Sequence, residues 1–303
     1  MVYSASDIVA RRRLKRLLNF WRVVAIIGVV GSALAFLSRY SDNGFSDYIA
    51  RLEVSGLILN DAARDAALRQ AISKKSVRAL IVEIESPGGT FVGGEALFKS
   101  LREVSEHKPV VAVLGSMATS AAYMGAIASD RVFAHNGTIT GSIGVMMQSA
   151  DIRDLLRKVG IKPETIKSGP LKAQPNPVEI FTPEAREATE KVIDDLFDLF
   201  VNMVGERRGL TRKAVLDLAD GRVFSGRQAF ANGMIDEIGG ISEARIWLEE
   251  KHQIDIDLRL EDLEIKENTM SWESIVDSIY RKTLFSERLR LDGAFSVWQR
   301  NLY

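Results

Sequence analysis

The sequence predicts an α/β fold built around a mostly parallel β-sheet. Beyond about residue 50, strand-like segments alternate with segments of helical periodicity, which is typical of βαβ units. Two strand-like segments, Arg78–Glu85 and Pro109–Leu114, are almost continuously apolar, as expected for strands covered on both faces. The chain has 303 residues, of which 46% are hydrophobic, and this is enough to fill a substantial core.

The first part of the pattern contains strand-like and helical segments in strict alternation. The strand-like segments are rich in β-branched and long aliphatic residues, and the helical segments carry small or apolar residues at helical spacing. In chain order they are predicted as strand Arg51–Leu59, helix Asp61–Ile72, strand Arg78–Glu85, helix Gly94–Ser105, strand Pro109–Leu114, helix Ser120–Ala128 and strand Arg131–Ala134.

The second part is predicted to be mainly helical. Threonine and serine recur where helical periodicity begins, and their side chains can cap the first turn of a helix. The predicted elements are a long helix from the cap Thr182, with Pro183 in its first turn, to about Arg207, shorter helices after the caps Thr211 and Ser225, and a half-exposed strand over Ile254–Leu260.

Composition excludes several kinds of chemistry. The formal net charge is zero, with 40 basic and 40 acidic residues, so no overall field attracts nucleic acid. Cysteine is absent, which excludes disulfides, thiolate metal sites and a cysteine nucleophile. The three histidines, His107, His135 and His252, leave little for a histidine-built metal site. Composition therefore leaves little support for a metal site built on cysteine or histidine.

The charge is unevenly distributed along the chain. Residues 1–22 carry a net charge of +5, and an uncharged apolar run follows from Val23 to Leu37. With the adjoining Phe20 and Trp21, a helix of about 18 residues nearly crosses a ~30 Å hydrocarbon core. The pattern predicts a membrane anchor with its basic end in the cytoplasm. A cleaved signal peptide is the alternative, because Ala33-Leu34-Ala35 fits a small-x-small cleavage site.

The anchor divides the chain into five predicted regions. The tail after residue 267 has a net charge of +3 between Arg281 and Tyr303. Two hypotheses for its role are that it lies on anionic lipid or that it docks on a neighbouring molecule. The regions are a basic cytoplasmic segment (1–22), a transmembrane anchor (23–38), a linker (39–50), the α/β domain (51–267) and the tail (268–303).

Four short segments carry residues suited to catalysis. Tandem glycines at 88–89 allow backbone N–H groups to approach a ligand. Ser120 lies at a predicted strand-to-helix junction, where a hydroxyl can be presented to a substrate. Each segment is a weak signal alone. They are Ser-Pro-Gly-Gly at 86–89, GSMATSAAYMG at 115–125, TGSIGV at 140–145 and IKSGPLK at 166–172.

Together and in this order, the four segments resemble the signal peptide peptidase A family, which consists of membrane-anchored bacterial serine proteases. The resemblance continues through residues 219–226 and 233–240, covers roughly residues 50–245 and is with the short, single-copy form. It implies a Clp protease/crotonase-like βαβ spiral. Ala121-Ala122 departs from the Gly-Gly that often follows the nucleophile in this family.

The resemblance implies a role for three polar residues. Ser120 corresponds to the nucleophile, Lys172 to the general base, and Ser142 to a polar group that orients the lysine amine. A serine hydroxyl needs such a base, and a lysine can act as one when desolvation keeps it neutral. His135 is the rival base, since it is the histidine closest in sequence to these motifs.

The resemblance also implies an oxyanion hole made of backbone N–H groups. Gly89 and Ala121 correspond to the donors, and Gly88 is the alternative to Gly89. Donors of this kind stabilise the tetrahedral intermediate whatever their side chains.

The implied reaction is peptide hydrolysis through an acyl-enzyme, with residual signal peptides as substrates, and it needs no metal or cofactor. The family also implies self-assembly into rings or domes, in which Ser120 and Lys172 of one site can come from neighbouring protomers; pairing within one protomer stays open. The implied location is the bacterial inner membrane, in contact with lipid, with the catalytic domain on the extracytoplasmic side. Two alternatives stay open at this point: a crotonase-type acyl-CoA enzyme and a catalytically silent membrane scaffold.

Overall fold

The computed structural model describes residues 17–33 and 47–265 and the backbone of 295–297. The chain divides into two compact units, residues 1–47 and 48–303. In the first unit, residues 17–33 form helix α1, which is about 25 Å long at 1.5 Å per residue. Over the described ranges, no helix is both long and apolar enough to cross a membrane. Residues 34–38 of the anchor predicted over 23–38 lie outside the described residues, and the anchor stays a prediction.

The second unit is a mixed α/β structure whose first half follows the predicted alternation. Its elements there are β1 (Tyr48–Ile58), α2 (Ala62–Ser73), β2 (Val77–Thr90), α3 (Phe91–Ser105), β3 (Val110–Thr119), α4 (Ala121–Ala126), β4 (Arg131–Ala134) and β5 (Ile139–Gly141). The later elements are α5 (Arg153–Lys158), α6 (Pro183–Arg208), α7 (Arg212–Leu216), β6 (Val223–Ser225), α8 (Gly226–Ala231), β7 (Glu237–Ile238), α9 (Ile241–His252), β8 (Arg259–Asp262) and β9 (Phe295–Val297).

All these strands belong to one sheet, with the order β6-β5-β3-β2-β1-β8 along its main path. Strand β4 pairs with β3 and β7, and β9 pairs with β2. The pairs of β1, β2 and β3 with one another are parallel, whereas the β5–β6 and β2–β9 pairs are antiparallel. The predicted α/β class is therefore confirmed, and the finer assignment to a Clp/crotonase-like spiral stays a prediction.

Helices cover both faces of the central strands. On one face, the core includes Leu80, Val82 and Ile84 of β2 together with residues of α3, α4 and α6. On the other face, Ala79 and Ile81 pack with residues of α9. Burial of both faces is the reason that these strands are almost continuously apolar.

Several boundaries differ from the predictions. Strand β2 continues through the Ser-Pro-Gly-Gly segment to Thr90, and β3 continues to Thr119. Helix α4 begins one residue later than predicted, because Ser120 has a positive φ. The predicted strand over Ile254–Leu260 is reduced to the start of β8, because the Leu258 N–H donates to the Asp255 carbonyl in a turn.

A buried polar cluster holds α4 against the elements around it. The Tyr123 hydroxyl donates to the Met234 carbonyl at 2.9 Å, and its burial raises the pKa of the phenol. Close by, Arg208 forms two hydrogen bonds with Asp236, at 2.8 and 3.0 Å. The Asp236 carboxylate also accepts the Val132 N–H. These bonds join α4, α6 and β4, and so hold the helix that follows Ser120 in place.

Candidate active site

The pairing of two parallel strands brings Ser120 and Ser142 together. Thr119, the last residue of β3, pairs with Gly141, the last residue of β5. Ser120 directly follows β3 and Ser142 directly follows β5. Because the two strands are parallel, both serines lie at the carboxyl end of the sheet. The Ser120 N–H donates to the Gly141 carbonyl at 2.8 Å, which joins the two turns directly.

Both serines have a backbone conformation that side chains rarely adopt. Ser120 has φ +58° and ψ −118°, and Ser142 has φ +51°. A residue with a Cβ at positive φ costs roughly 1–2 kcal/mol relative to an ordinary conformation. Both are nevertheless buried, with 1% and 8% of their surfaces exposed. Strain that is held in place by packing is concentrated at functional sites in proteins.

Helix α4 begins directly after Ser120, beside the Ser142 turn. Ser120 is the N-terminal flanking residue of this helix, and its side chain makes no capping hydrogen bond. Ala121 and Ala122 are fully buried, so the departure from Gly-Gly is absorbed by the core. A Cβ on Gly94 would lie only 2.9 Å from the Ala121 Cβ, which shows how closely α3 and α4 approach here.

The Ser-Pro-Gly-Gly segment lies beside this junction as an extended strand. The Ser86 Oγ donates to the Gly56 carbonyl at 2.6 Å and accepts the Gly88 N–H at 3.1 Å. The Thr119 Oγ1 donates to the Pro87 carbonyl at 3.0 Å, so the residue before Ser120 is tied to β2.

Of the two predicted glycine donors, the contacts favour Gly89. The Gly88 N–H is already used by Ser86. A Cβ on Gly89 would overlap the Ile58 carbonyl oxygen, so the position requires glycine. Glycine at this position lets the backbone of β2 pass close to β1 while its polar groups lie at the carboxyl end of the sheet.

Lys172 is in a different environment from the two serines. Its N–H closes a turn onto the Gly169 carbonyl at 3.2 Å, and its side chain is exposed. The neighbouring Lys167 instead forms an ion pair with Glu179, and hydrogen bonds from Lys167 and Asn176 lower the pKa of that carboxyl group. The structure thus brings Ser120 and Ser142 together but does not bury Lys172 beside them.

His135, the rival base, lies beside another part of the molecule. It follows Ala134, which pairs with Leu114 of β3, and Leu114 is five residues, about 16 Å in an extended strand, before Thr119. Its ring lies against Gly240, where an added Cβ would be 3.0 Å from the ring. The described contact of the His135 ring is therefore at the start of α9. Within the described ranges, no cluster of three or more His, Cys, Asp or Glu residues could hold a metal.

Sequence reasoning missed one side chain that shapes the site. The Glu85 Oε2 accepts the Ser116 N–H at 2.6 Å, just where β3 stops pairing with β4 and starts pairing with β5. The only local signal was an acidic residue at the end of a buried strand, and this did not distinguish Glu85 from any solvated carboxylate.

The site contains a buried, strained serine at a strand-to-helix junction, beside the part of β2 that contains Gly88 and Gly89. This arrangement is suited to a serine hydrolase. A comparison with protein families matches residues 102–255 to Peptidase family S49. This is half of the chain, and the chain belongs to that family. It is a serine peptidase, and the predicted family is confirmed. Membership sets aside the crotonase-type alternative.

Individual relatives agree with the family assignment. A protein of Synechocystis sp., slr0021, provisionally named a protease, is 38% identical over 201 residues, which are 66% of this chain and 72% of that protein. A protein of Enterococcus faecium with the provisional name signal peptide peptidase SppA is 33% identical over 178 residues, or 58% of this chain and 52% of that protein. The chain thus matches only about half the length of the second relative.

Among solved structures, a mutant of ClpP1 from Listeria monocytogenes is similar to this chain. The TM-score is 0.43 at 16% identity, over 63% of this chain and 91% of that chain.

The strain at Ser120 predicts that glycine is more stabilising than alanine at this position, the reverse of the usual order in a helix. Glycine adopts positive φ at no steric cost, whereas alanine keeps the Cβ penalty. We expect Ser120→Gly to be more stable than Ser120→Ala by about 1 kcal/mol, measured by urea unfolding.

The matched control is Ser100, which is buried inside helix α3. Here Ser100→Ala should be more stable than Ser100→Gly, by about 1 kcal/mol. The same order at both positions would show that the Ser120 backbone is not strained.

Proposed function

We propose that this chain is an endopeptidase in which Ser120 is the nucleophile and Lys172 the general base. The observation that carries the proposal is the conformation of Ser120, which is buried at φ +58° and joined to the Ser142 turn through Gly141. A hydroxyl group in such a turn is held at the edge of the sheet, where an extended peptide can reach it.

The proposed reaction has two stages. Lys172 takes the proton of Ser120 while the Ser120 oxygen forms a bond to the peptide carbonyl carbon, and the Gly89 and Ala121 N–H groups stabilise the oxyanion. The lysine then gives the proton to the leaving amine, and the C–N bond breaks. In the second stage, water attacks the acyl-enzyme, the lysine takes a proton from that water, and Ser120 is released. The position of Ser142 beside Ser120 suits a hydroxyl that orients the lysine amine.

The exposure of Lys172 points to a partner surface. A lysine acts as a general base only when it is neutral, and desolvation favours the neutral form. Residues 145–181 carry many exposed apolar side chains, and exposed apolar patches of this kind mark interaction surfaces. They include Leu155, Val159, Ile161, Ile166, Leu171 and Ile180, with Ile166 96% exposed. We propose that a second copy of the chain covers this segment and brings Lys172 to a serine site.

The proposed substrates are residual signal peptides and similar apolar, extended peptides. Support comes from the family, from the provisional name of the Enterococcus relative, and from exposed apolar residues near Gly88 and Gly89 of β2. Leu57, Leu59 and Val92 are each more than half exposed, and Leu57 pairs with Gly88. Apolar side chains of a bound peptide could be received on this surface.

The proposed location, an extracytoplasmic domain on a bacterial inner membrane, rests on the sequence pattern of residues 1–38 alone. The full-length chain should stay with membranes after carbonate extraction, whereas a chain lacking residues 1–38 should be released. Release of the full-length chain would contradict the anchor.

Removal of either dyad residue should abolish hydrolysis without unfolding the chain. We expect Ser120→Ala and Lys172→Ala to lower kcat/KM for a fluorogenic apolar peptide by about 10²–10⁴-fold or more.

Lys162→Ala is the matched control, because Lys162 is an exposed lysine of the same segment and has no proposed role. Its kcat/KM should equal that of the parent. Equal activity of all four proteins would exclude the dyad, and inactivity of the parent itself would favour the silent-scaffold alternative.

Assembly of the site between protomers predicts complementation. When Ser120→Ala and Lys172→Ala chains are dissociated, mixed and reassembled, some sites should combine an intact serine with an intact lysine. The mixture should then recover about a quarter of the parental activity, because random mixing gives each site an intact serine with a probability of about one half and an intact lysine with the same probability. A mixture as inactive as its components, at a mass that shows mixed oligomers, would mean that the dyad lies within one protomer.

A further inference from the structure

One carboxylate ties together the loop that carries Lys172. Residues 159–182 form no helix or strand, so this loop needs side-chain contacts to hold its shape. The Glu179 Oε2 accepts hydrogen bonds from the Gln174 Nε2 and from the Asn176 Nδ2, both at 2.7 Å. A single acidic side chain thus collects donors that lie two and four residues after the lysine.

The same carboxylate also reaches the part of the loop that precedes Lys172. The Lys167 ammonium forms an ion pair with the Glu179 Oε2, and the Thr165 side chain hydrogen-bonds Glu179 as well. The side chains of the ion pair are only 13% and 22% exposed, so water screens it less than an ordinary surface pair. Glu179 therefore joins the loop on both sides of Lys172.

Asn176 carries this connection to the residue directly after Lys172. Its Nδ2 donates not only to Glu179 but also to the Ala173 carbonyl, at 2.9 Å. Its Oδ1 accepts the Val178 N–H at 3.0 Å. The amide is therefore held by three partners, and the carboxylate and the backbone beside the lysine are two of them.

The turn at Lys172 has weak backbone support of its own. The Lys172 N–H donates to the Gly169 carbonyl at 3.2 Å, and the Gln174 N–H donates to the Leu171 carbonyl at 3.3 Å. Both distances are at the long end of the range for hydrogen bonds. Ala173, between the two donors, has φ +58°, which is unfavourable for a residue with a Cβ. Such a turn needs support from outside its backbone, and the contacts of the carboxylate supply it.

We propose that Glu179 is a positioning residue for the general base, and that it holds the Lys172 turn in the conformation in which the amine reaches a serine site. This role rests on the proposed function, because Glu179 acts only through Lys172. Every bond described above lies within one chain. The role is therefore the same whether the amine serves the Ser120 of its own chain or that of a neighbouring copy.

The rate at which a fluorophosphonate labels Ser120 tests this role in the full-length chain. We expect Glu179→Ala to lower the rate constant by about 10–10²-fold, as a misplaced catalytic group does, while the fraction finally labelled equals that of the parent. A merely structural role would lower the labelled fraction and leave the rate constant unchanged. Glu164→Ala, which alters an exposed glutamate of the same loop, is the control and should label at the parental rate. A parental rate constant in Glu179→Ala would overturn the proposal.

A double-mutant cycle shows whether Glu179 acts through Lys172. A chain with Lys172→Ala has no amine to position, so adding Glu179→Ala should change its labelling rate by less than about twofold. A further fall as large as in the parental background would mean that Glu179 acts by another route, and would overturn the proposal.

Hydrogen exchange tests the hold on the loop without reference to catalysis. In Glu179→Ala, the amides of residues 165–178 should exchange several-fold faster than in the parent, whereas those of α6 should keep their rates, because the lost bonds are confined to the loop. Unchanged exchange of the loop would overturn the proposal, whatever the labelling rate.

Failure of this proposal and failure of the proposed function give different results. Parental labelling in Lys172→Ala would contradict the dyad itself, and with it any role of Glu179 toward a base. Slow labelling in Lys172→Ala together with parental labelling in Glu179→Ala would contradict the role of Glu179 alone.

Discussion

The candidate site depends on the pairing of Thr119 with Gly141 at the ends of β3 and β5. This single register brings together two turns that are about twenty residues apart in the chain, and it sets the hydrogen bond from the Ser120 N–H to the Gly141 carbonyl. A slip of one residue would turn every side chain of β5 to the other face. The positions of Ser120, of Ser142 and of the first turn of α4 all follow from it.

The register is possible because β3 changes its partner halfway along. It pairs with β4 up to Leu114 and with β5 from Met117. Side chains bind the backbone around this break, since Glu85 accepts the Ser116 N–H and the Thr138 Oγ1 donates to the Gly115 carbonyl at 2.7 Å. The Thr140 Oγ1 then donates to the Ala118 carbonyl at 2.6 Å. Buried polar groups need such partners, and here the partners themselves direct β3 toward Ser120.

Apolar periodicity and capping residues predicted most helices and strands of the fold. The apolar runs of β2 and β3 predicted buried strands, and the capping threonine and proline predicted the start of α6 at Pro183. The helix at Ser120 was predicted one residue too early, since a positive φ at serine is imposed by tertiary packing and leaves no mark on periodicity. The extension of β2 through Gly88 and Gly89 and the pairing of β9 depend on contacts between distant segments, and so no local signal indicated them. The site residues were proposed from the order of the motifs, whereas their adjacency became visible only in the sheet register.

The most direct test of the central claim, that Ser120 is the nucleophile, is covalent labelling. The full-length protein is treated with a fluorophosphonate, which reacts with activated serines, and the adduct is located by intact mass and peptide mapping. The account predicts one adduct per chain on Ser120, lost in Ser120→Ala and much slower to form in Lys172→Ala. An adduct on Ser142 or another serine, or labelling of Ser120→Ala at the rate of the parent, would contradict it.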